Sequence, residues 1–154
     1  MMKPAILILS ARGALNYVMQ HFPDPGMTEY PKRMDRYAVI SIQDTIGGGF
    51  GFELKGNQYC KSVLTLYFDD IEKEEVGLKL MDNFQAKQII RFIMKNTDVD
   101  TLLIHYFAGV SRSRAVGAFA DEFLGIPYTG SRAFNNFVYD LLKNVWSEMK
   151  GESV

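Results

Sequence analysis

The chain has 154 residues, 47% hydrophobic and 23% charged, which excludes an intrinsically disordered protein and allows one domain with a sizeable core. Its formal net charge of −1 gives no global field that would attract nucleic acid or an anionic membrane. Cys60 is the only cysteine, which excludes an intrachain disulfide and fits a reducing compartment. We therefore expect one cytoplasmic domain over residues 1–154 that binds neither nucleic acid nor membrane.

Four apolar runs of strand length follow one another along the chain. The first, residues 5–9, is too short for the core of a signal peptide or for a membrane span, so we expect a buried strand. The others cover residues 37–42, 62–68 and 101–105. Continuous apolar strands are typical of a sheet that is covered on both faces.

Three helices are predicted from apolar residues at helical spacing. The first is Asn83–Lys95, and the second covers residues 113–124 with Gly125 as its C-terminal stop. The last has the clearest apolar stripe, formed by Phe134, Phe137, Val138, Leu141, Leu142, Val145, Trp146 and Met149. Residues 12–21 are compatible with a loop or a short helix, and residues 22–26 break regular structure.

The alternation of strands and helices predicts a single α/β domain with a mostly parallel central sheet flanked by helices. In such sheets ligands bind at the carboxyl ends of the strands. The stretch that follows the fourth strand should therefore lie at a binding site.

That stretch, residues 105–114, reads His-Tyr-Phe-Ala-Gly-Val-Ser-Arg-Ser-Arg. A strand, a tight loop and a helix start can bind an anion, because loop amides converge and the helix N-terminus carries partial positive charge. The guanidinium of Arg112 could hold a phosphate through two N–H groups. The alternative is a generic strand-to-helix turn with surface arginines.

The spacing resembles the signature loop of cysteine-dependent protein tyrosine and dual-specificity phosphatases of the small bacterial or phage type. That signature is His, the nucleophilic Cys, five residues, Arg, then Ser or Thr. The matching positions are His105, Ala108, Gly109, Ser111, Arg112 and Ser113, whereas Tyr106 stands at the nucleophile position.

The resemblance implies a dual-specificity phosphatase-like fold and a role for each residue of the stretch. His105 would orient the loop, and Ser113 would assist the leaving sulfur of an active relative. Phosphate would be bound by Phe107, Ala108, Gly109, Val110, Ser111 and Arg112.

Two adjacent aspartates follow the third strand, and the resemblance gives one of them the role of general acid. We carry that role to Asp70, with Asp69 as the alternative. Like-charge repulsion between them should hold the pKa of at least one carboxyl above its ordinary range. The alternative is that both belong to a solvated strand end or cap the next segment.

Tyr106 changes the expected chemistry because the family mechanism needs a thiolate. Free thiols have a pKa of about 8.5 and phenols of about 10, and a phenol oxygen lies about 6.5 Å from Cα, against less than about 3 Å for a cysteine sulfur. A ring with the cysteine's direction would fill the loop, whereas a ring turned away would leave it open. We expect the filled loop, because a side chain at this position normally projects into it.

The sequence therefore predicts a catalytically inactive pseudophosphatase with a binding or regulatory role. The alternative is a phosphomonoester hydrolase, active or formerly active, whose catalytic cysteine is substituted at position 106. The candidate partners are phosphate, sulfate or a phosphorylated ligand, and a protein.

Other motifs are weaker. The glycines of residues 47–51 belong to a predicted hairpin or loop, and residues 51–56 have Walker A glycine spacing but are followed by Asn57 and Gln58 instead of Lys and Ser or Thr. His21, His105 and Cys60 lack metal-ligand spacing. No metal and no cofactor is expected.

Overall fold

Four strands form one sheet in a computed structural model, which describes residues 3–23, 30–45, 57–106 and 110–152. The strands are β1 (Ala5–Ser10), β2 (Tyr37–Gln43), β3 (Cys60–Tyr67) and β4 (Thr101–Tyr106). The helices are α1 (Ala11–Met19), α2 (Asn83–Lys95), α3 (Ser111–Phe123) and α4 (Asn136–Glu152). The predicted single α/β domain is confirmed.

The sheet is parallel throughout, with the strand order β1-β4-β2-β3. β4 lies between β1 and β2, so that Ile104 is level with Ile8 on one side and Ile40 on the other. The carboxyl ends of all four strands consequently meet at one edge of the sheet. β4 itself ends near the middle of that edge, between β1 and β2.

Alternating side chains of the central strands pack into two separate apolar clusters. On one face, Tyr37, Val39 and Leu103 pack with α1 through Ala14 and Val18. On the other face, a larger core joins the sheet to α2, α3 and α4; its buried strand members are Ala38, Ile40, Ile42, Leu66, Leu102 and Ile104. The sheet is therefore covered on both faces, as the continuous apolar strands predicted.

The helices begin and end close to their predicted positions. Residues 12–21, for which the sequence left a loop or a short helix open, include all of α1 except its first residue. The start of α1 is capped by Ser10, whose Oγ accepts a hydrogen bond from the Gly13 amide at 3.1 Å. α3 begins at Ser111, earlier than predicted, and Gly125 follows its end with a φ of 77°, as expected for a C-terminal stop. Phe134 precedes α4 instead of belonging to it, although its side chain is buried.

α2 has a complete capping box. The Asp82 carboxylate accepts a hydrogen bond from the Gln85 amide at 2.8 Å, and the Gln85 side chain accepts one from the Asp82 amide at 3.2 Å. The same Gln85 side chain donates to the carbonyl of Tyr67 at 3.0 Å. The start of α2 is therefore fixed to the carboxyl end of β3.

Gly117 lets α3 approach β1 closely. A Cβ atom at this position would lie 2.6 Å from Cδ1 of Ile8, closer than real Cβ contacts allow. Because Gly117 has no side chain, α3 packs directly against the edge strand β1.

No helix in the described part of the chain combines the length and the apolar character that a membrane crossing needs.

Candidate functional site

The candidate site lies where β4 ends and α3 begins. His105 and Tyr106 are the last two residues of β4, and Tyr106 is level with Ser10 of β1 and Ile42 of β2. α3 starts at Ser111. Phe107, Ala108 and Gly109, which the sequence assigned to phosphate binding, lie outside the described residues. The expectation that the ring of Tyr106 fills the loop therefore stays a prediction. Tyr106 itself is half-buried.

His105 is fully buried inside the sheet. Removal from water disfavours the charged imidazolium and lowers the pKa of His105 from 6.5 to about 4, although a backbone hydrogen bond at Tyr106 opposes the shift. The imidazole is therefore neutral at neutral pH. A buried neutral ring at this point can support the following loop without adding charge to it.

Arg112 is the most deeply buried cation of the site, with 1% of its surface exposed. Its Nη1 donates a hydrogen bond to the carbonyl oxygen of Phe68 at 2.6 Å. Its Nη2 forms an ion pair with Asp44 Oδ1 at 2.8 Å. Each NH₂ group of the guanidinium thus has a partner in the protein: Nη1 contacts the segment after β3, and Nη2 contacts the residue directly after β2.

The acidic partner of Arg112 corrects one expectation. Since few acids lie near residue 112 in the sequence, the local sequence predicts an anion site with little competition from nearby carboxylates. Asp44 is 68 positions away in the chain but follows β2 directly, so the parallel sheet brings it to the same edge as α3. The charge of Arg112 is therefore already balanced by a carboxylate.

Ser113 and Val110 fix the first turn of α3. Ser113 is fully buried, and its Oγ donates a hydrogen bond to the carbonyl of Val110 at 3.0 Å. The amide of Arg114 donates to the same carbonyl at 2.8 Å. In this arrangement the Ser113 hydroxyl supports the helix start, and the assistance to a leaving sulfur that the resemblance implies for Ser113 stays a prediction.

Asp69 holds the loop after β3 in place. Its Oδ2 accepts hydrogen bonds from Thr45 Oγ1 at 2.5 Å and from the Lys79 amide at 2.8 Å, while Oδ1 accepts one from the Thr45 amide at 3.2 Å. The Asp69 amide donates to the Lys79 carbonyl at 2.8 Å. One buried carboxylate thus joins the end of β2 to both ends of the 69–79 loop.

The expected upward pKa shift is wrong for Asp69. Burial alone would raise the pKa of this carboxyl, but hydrogen bonds from Thr45 and from the Lys79 amide, together with the charge of Arg112, hold it below its ordinary value. Donors and a cation surround the carboxylate, and they outweigh the effect of its burial. Asp69 therefore has the properties of a structural anion and not of a proton donor.

Asp70 differs from Asp69 in being exposed. Its Oδ1 accepts a hydrogen bond from Asn135 Nδ2 at 2.9 Å, and the same amide donates to the carbonyl of Ile71 at 3.0 Å. Of the two aspartates, Asp70 is the one that can meet a ligand. The structure thus separates two adjacent carboxylates that the sequence left as alternatives.

A cavity of about 810 Å³ opens beside these residues. It is lined by Asp70, Ser111, Arg132 and Asn135, among others. Ser111 also receives a hydrogen bond on its carbonyl from the Asn135 amide at 3.3 Å. The cavity therefore brings the start of α3 and the candidate acid to one concave surface.

Sequence reasoning missed two residues of this arrangement. Asp44 could have been found from its place directly after a strand, since polar residues at the carboxyl ends of parallel strands meet at one edge. Asn135 could have been found as a helix cap, since asparagine is common directly before a helix. Its Oδ1 accepts a hydrogen bond from the Val138 amide at 3.0 Å. No local sequence pattern predicts the hydrogen bond between Asn135 and Asp70.

The glycine-rich residues 46–56 lie outside the described residues. Among the residues that are described, no group of three or more His, Cys, Asp and Glu side chains is arranged to hold a metal ion. His21 lies at the amino end of the sheet, where its Nε2 is 2.9 Å from Asp35 Oδ1. It belongs to a cluster with Tyr17 and Thr101 that is separate from the candidate site.

No family model matches the sequence, and neither a curated protein nor a solved structure matches the chain.

Proposed function

We propose that this protein is a pseudophosphatase: a cytoplasmic binding or regulatory module related in design to the cysteine-dependent protein tyrosine and dual-specificity phosphatases. Its ligand is phosphate, sulfate or a phosphorylated molecule. The observation that carries the proposal is the order of groups at the carboxyl end of β4. Tyr106 ends the strand at the nucleophile position, and the buried Arg112 lies in the first turn of the following helix.

Three further features support an anion-binding origin for the site. The N-terminus of α3 faces the carboxyl edge of a parallel sheet, where its partial positive charge favours an anion. The guanidinium of Arg112 is held by the Phe68 carbonyl, which fixes its direction. The exposed Asp70 and the start of α3 line one cavity. A generic surface turn would not require a buried arginine with partners in the segments that follow two other strands.

The replacement of the thiol argues against turnover. The phosphatase mechanism begins with attack of a thiolate on phosphorus, which a phenol with its higher ordinary pKa and larger ring does not reproduce. Arg112 is moreover paired with Asp44, so a bound anion must compete with a carboxylate for the same cation. Both features argue against turnover.

The test is hydrolysis of p-nitrophenyl phosphate by the parent chain and by Tyr106→Phe. We expect both proteins to be at background, because neither has a thiol at position 106. Turnover by the parent that disappears in Tyr106→Phe would contradict the proposal and indicate a tyrosine nucleophile.

Anion binding is tested separately by calorimetric titration with inorganic phosphate. Tyr106→Ala should bind phosphate more tightly than the parent if the ring fills the loop, and the gain should be lost when Arg112→Lys is added. Absence of phosphate binding in both Tyr106→Ala and the parent would contradict an anion-binding function.

The second candidate is a phosphomonoester hydrolase whose nucleophile has been substituted. The observation that favours it is the exposed Asp70 on the cavity wall with Ser111, since a general acid needs access to the leaving group. Tyr106→Cys should then hydrolyse p-nitrophenyl phosphate, and the activity should fall in Tyr106→Cys/Asp70→Asn. Tyr106→Ser is the matched control, because it has a short side chain without a thiolate. A folded, phosphate-binding Tyr106→Cys that shows no turnover would exclude this candidate.

A further inference from the structure

The segment between β3 and α2 carries much of the negative charge of the protein. Residues 70–82 contain five acidic residues and two lysines, a net charge of −3, whereas the whole chain has −1. Lys79 is engaged within the segment, since its Nζ lies 2.9 Å from Asp82 Oδ2. In the described part of the chain, no basic side chain forms an ion pair with Glu74 or Glu75, and both are exposed.

Large apolar side chains lie next to these exposed acids. Val76 is fully exposed, and Leu78 has 40% of its surface exposed. Together with Leu80 and with Phe137 of α4 they line a groove of about 700 Å³. Glu74 and Glu75 border the same groove. The groove thus combines an apolar floor with an acidic rim.

The groove is held in shape by backbone contacts. The Leu78 amide donates a hydrogen bond to the Glu75 carbonyl at 3.1 Å. Gly77 has a φ of 81°, a conformation that favours glycine and that directs the turn. The segment is closed at its base by the two contacts between Asp69 and Lys79, at 2.8 Å each. A preorganised surface binds a partner at low entropic cost.

We infer that this groove docks a segment of a partner protein in which lysine or arginine side chains flank large apolar side chains. The apolar side chains would cover Val76, Leu78 and Phe137, and the cations would pair with Glu74 and Glu75. Charge complementarity favours this occupant, because the acidic rim repels an anionic membrane surface or an acidic segment. The groove contains no residue of the 105–113 stretch, so the inference does not depend on the proposed function.

The probes are three labelled peptides, measured by fluorescence anisotropy with the full chain. One alternates lysine and leucine, one has serine in place of leucine, and one has glutamate in place of lysine. The lysine–leucine peptide should bind at least about tenfold more tightly than either of the others, because the groove requires both charge and apolar surface. Equal binding of the lysine–leucine and lysine–serine peptides would overturn the inference, since charge alone would then account for it.

Matched variants locate the binding. Glu75→Gln should weaken binding of the lysine–leucine peptide, and Glu148→Gln, which removes one exposed acid further along α4, should leave it unchanged. Leu78→Ser should weaken binding, and Met94→Ser, at an exposed apolar residue near the far end of α2, should not. Equal effects of the test and control variants would show that the peptide binds elsewhere, and would overturn the inference.

A second copy of the chain is the other candidate occupant. Sedimentation over a range of protein concentrations distinguishes it from a partner segment. A parent that stays monomeric is the expected result. A dimer that dissociates in Leu78→Ser would assign the groove to self-association and overturn the inference.

Discussion

Arg112 and Asp44 form an ion pair across the carboxyl edge of the sheet, with Nη2 and Oδ1 2.8 Å apart. The two ends of this pair differ in environment, because the arginine side chain is 1% exposed and the aspartate side chain is 29% exposed. A buried cation that loses its partner is costly to the fold. Asp44 therefore stabilises Arg112 in the absence of ligand and competes with any anion that approaches it.

Removal of the Asp44 charge should strengthen anion binding. We expect Asp44→Asn to bind inorganic phosphate about tenfold more tightly than the parent, because a negative charge close to the guanidinium is lost. The same variant should be less stable without phosphate and should regain stability when phosphate is added, since only the folded state binds it. Calorimetric titration and thermal melts with and without phosphate measure the two effects.

Asp98→Asn is the control for Asp44→Asn. It also removes one carboxylate, but Asp98 is paired with Lys61, 2.6 Å from its Oδ1, and has no contact with Arg112. Phosphate affinity should be the same as in the parent. Equal phosphate affinity in the parent and Asp44→Asn would show that Asp44 does not compete with the anion.

Because His105 is buried, we expect the protein to lose stability in mild acid. Its pKa is lowered from 6.5 to about 4 in the folded state, so the folded protein resists protonation that the unfolded chain accepts. This contribution to stability is fully present above pH 6.5 and decreases as the pH falls toward about 4. NMR titration of the imidazole signals should give an apparent pKa of about 4 for His105. A midpoint near 6.5 would mean that the ring is accessible to water.

The stripe of α4 should behave as core. Leu142 is fully buried, and Leu142→Ala should lower the free energy of unfolding by about 2–5 kcal/mol because a cavity replaces the side chain. Leu15→Ala, at a residue of α1 with 41% of its surface exposed, should cost less than about 1 kcal/mol. Urea denaturation of both variants provides the comparison, and similar losses would argue against the packing of α4.

The close approach of α3 to β1 should make Gly117 intolerant of larger residues. Gly117→Val should destabilise the protein by about 1–3 kcal/mol, since its side chain would overlap Ile8. Adding Ile8→Ala should recover part of the loss, because space is restored at the contact. Gly151→Val is the control: a Cβ atom there would meet nothing within 4 Å. Denaturation of the single and double variants tests the coupling, which should be absent for Gly151.

Much of the fold follows from local patterns. The four apolar runs and three apolar stripes correspond to strands and helices because burial on one or two faces imposes a fixed spacing on the chain. The predicted start of α3 was two residues too late. The helix begins at Ser111 because the Val110 carbonyl already accepts a hydrogen bond from the Arg114 amide. α1 contains Gly13 in its first turn and only a short apolar stripe, so its helical state depends on packing against Leu103 and Tyr37.

The site was less predictable because its contacts join distant parts of the chain. Arg112 and Asp70 were assigned to the candidate site from the spacing of a motif and from an acidic loop. The partner of Arg112 is Asp44, and the partner of Asp70 is Asn135. Neither pairing follows from local sequence. The different surroundings of Asp69 and Asp70 likewise depend on which carboxylate faces Thr45 and the Lys79 amide.

The central place of β4 has a consequence during synthesis of the protein. β1 pairs with β4 and has no other partner strand among the described residues, whereas β2 and β3 can pair with each other earlier. β1 therefore leaves the ribosome before its partner strand and cannot pair with it until residues 101–106 have emerged. During that interval its apolar side chains, Ile6 and Ile8 among them, are available to chaperones or to other nascent chains. The strand that ends at the candidate site is thus also the one that completes the sheet.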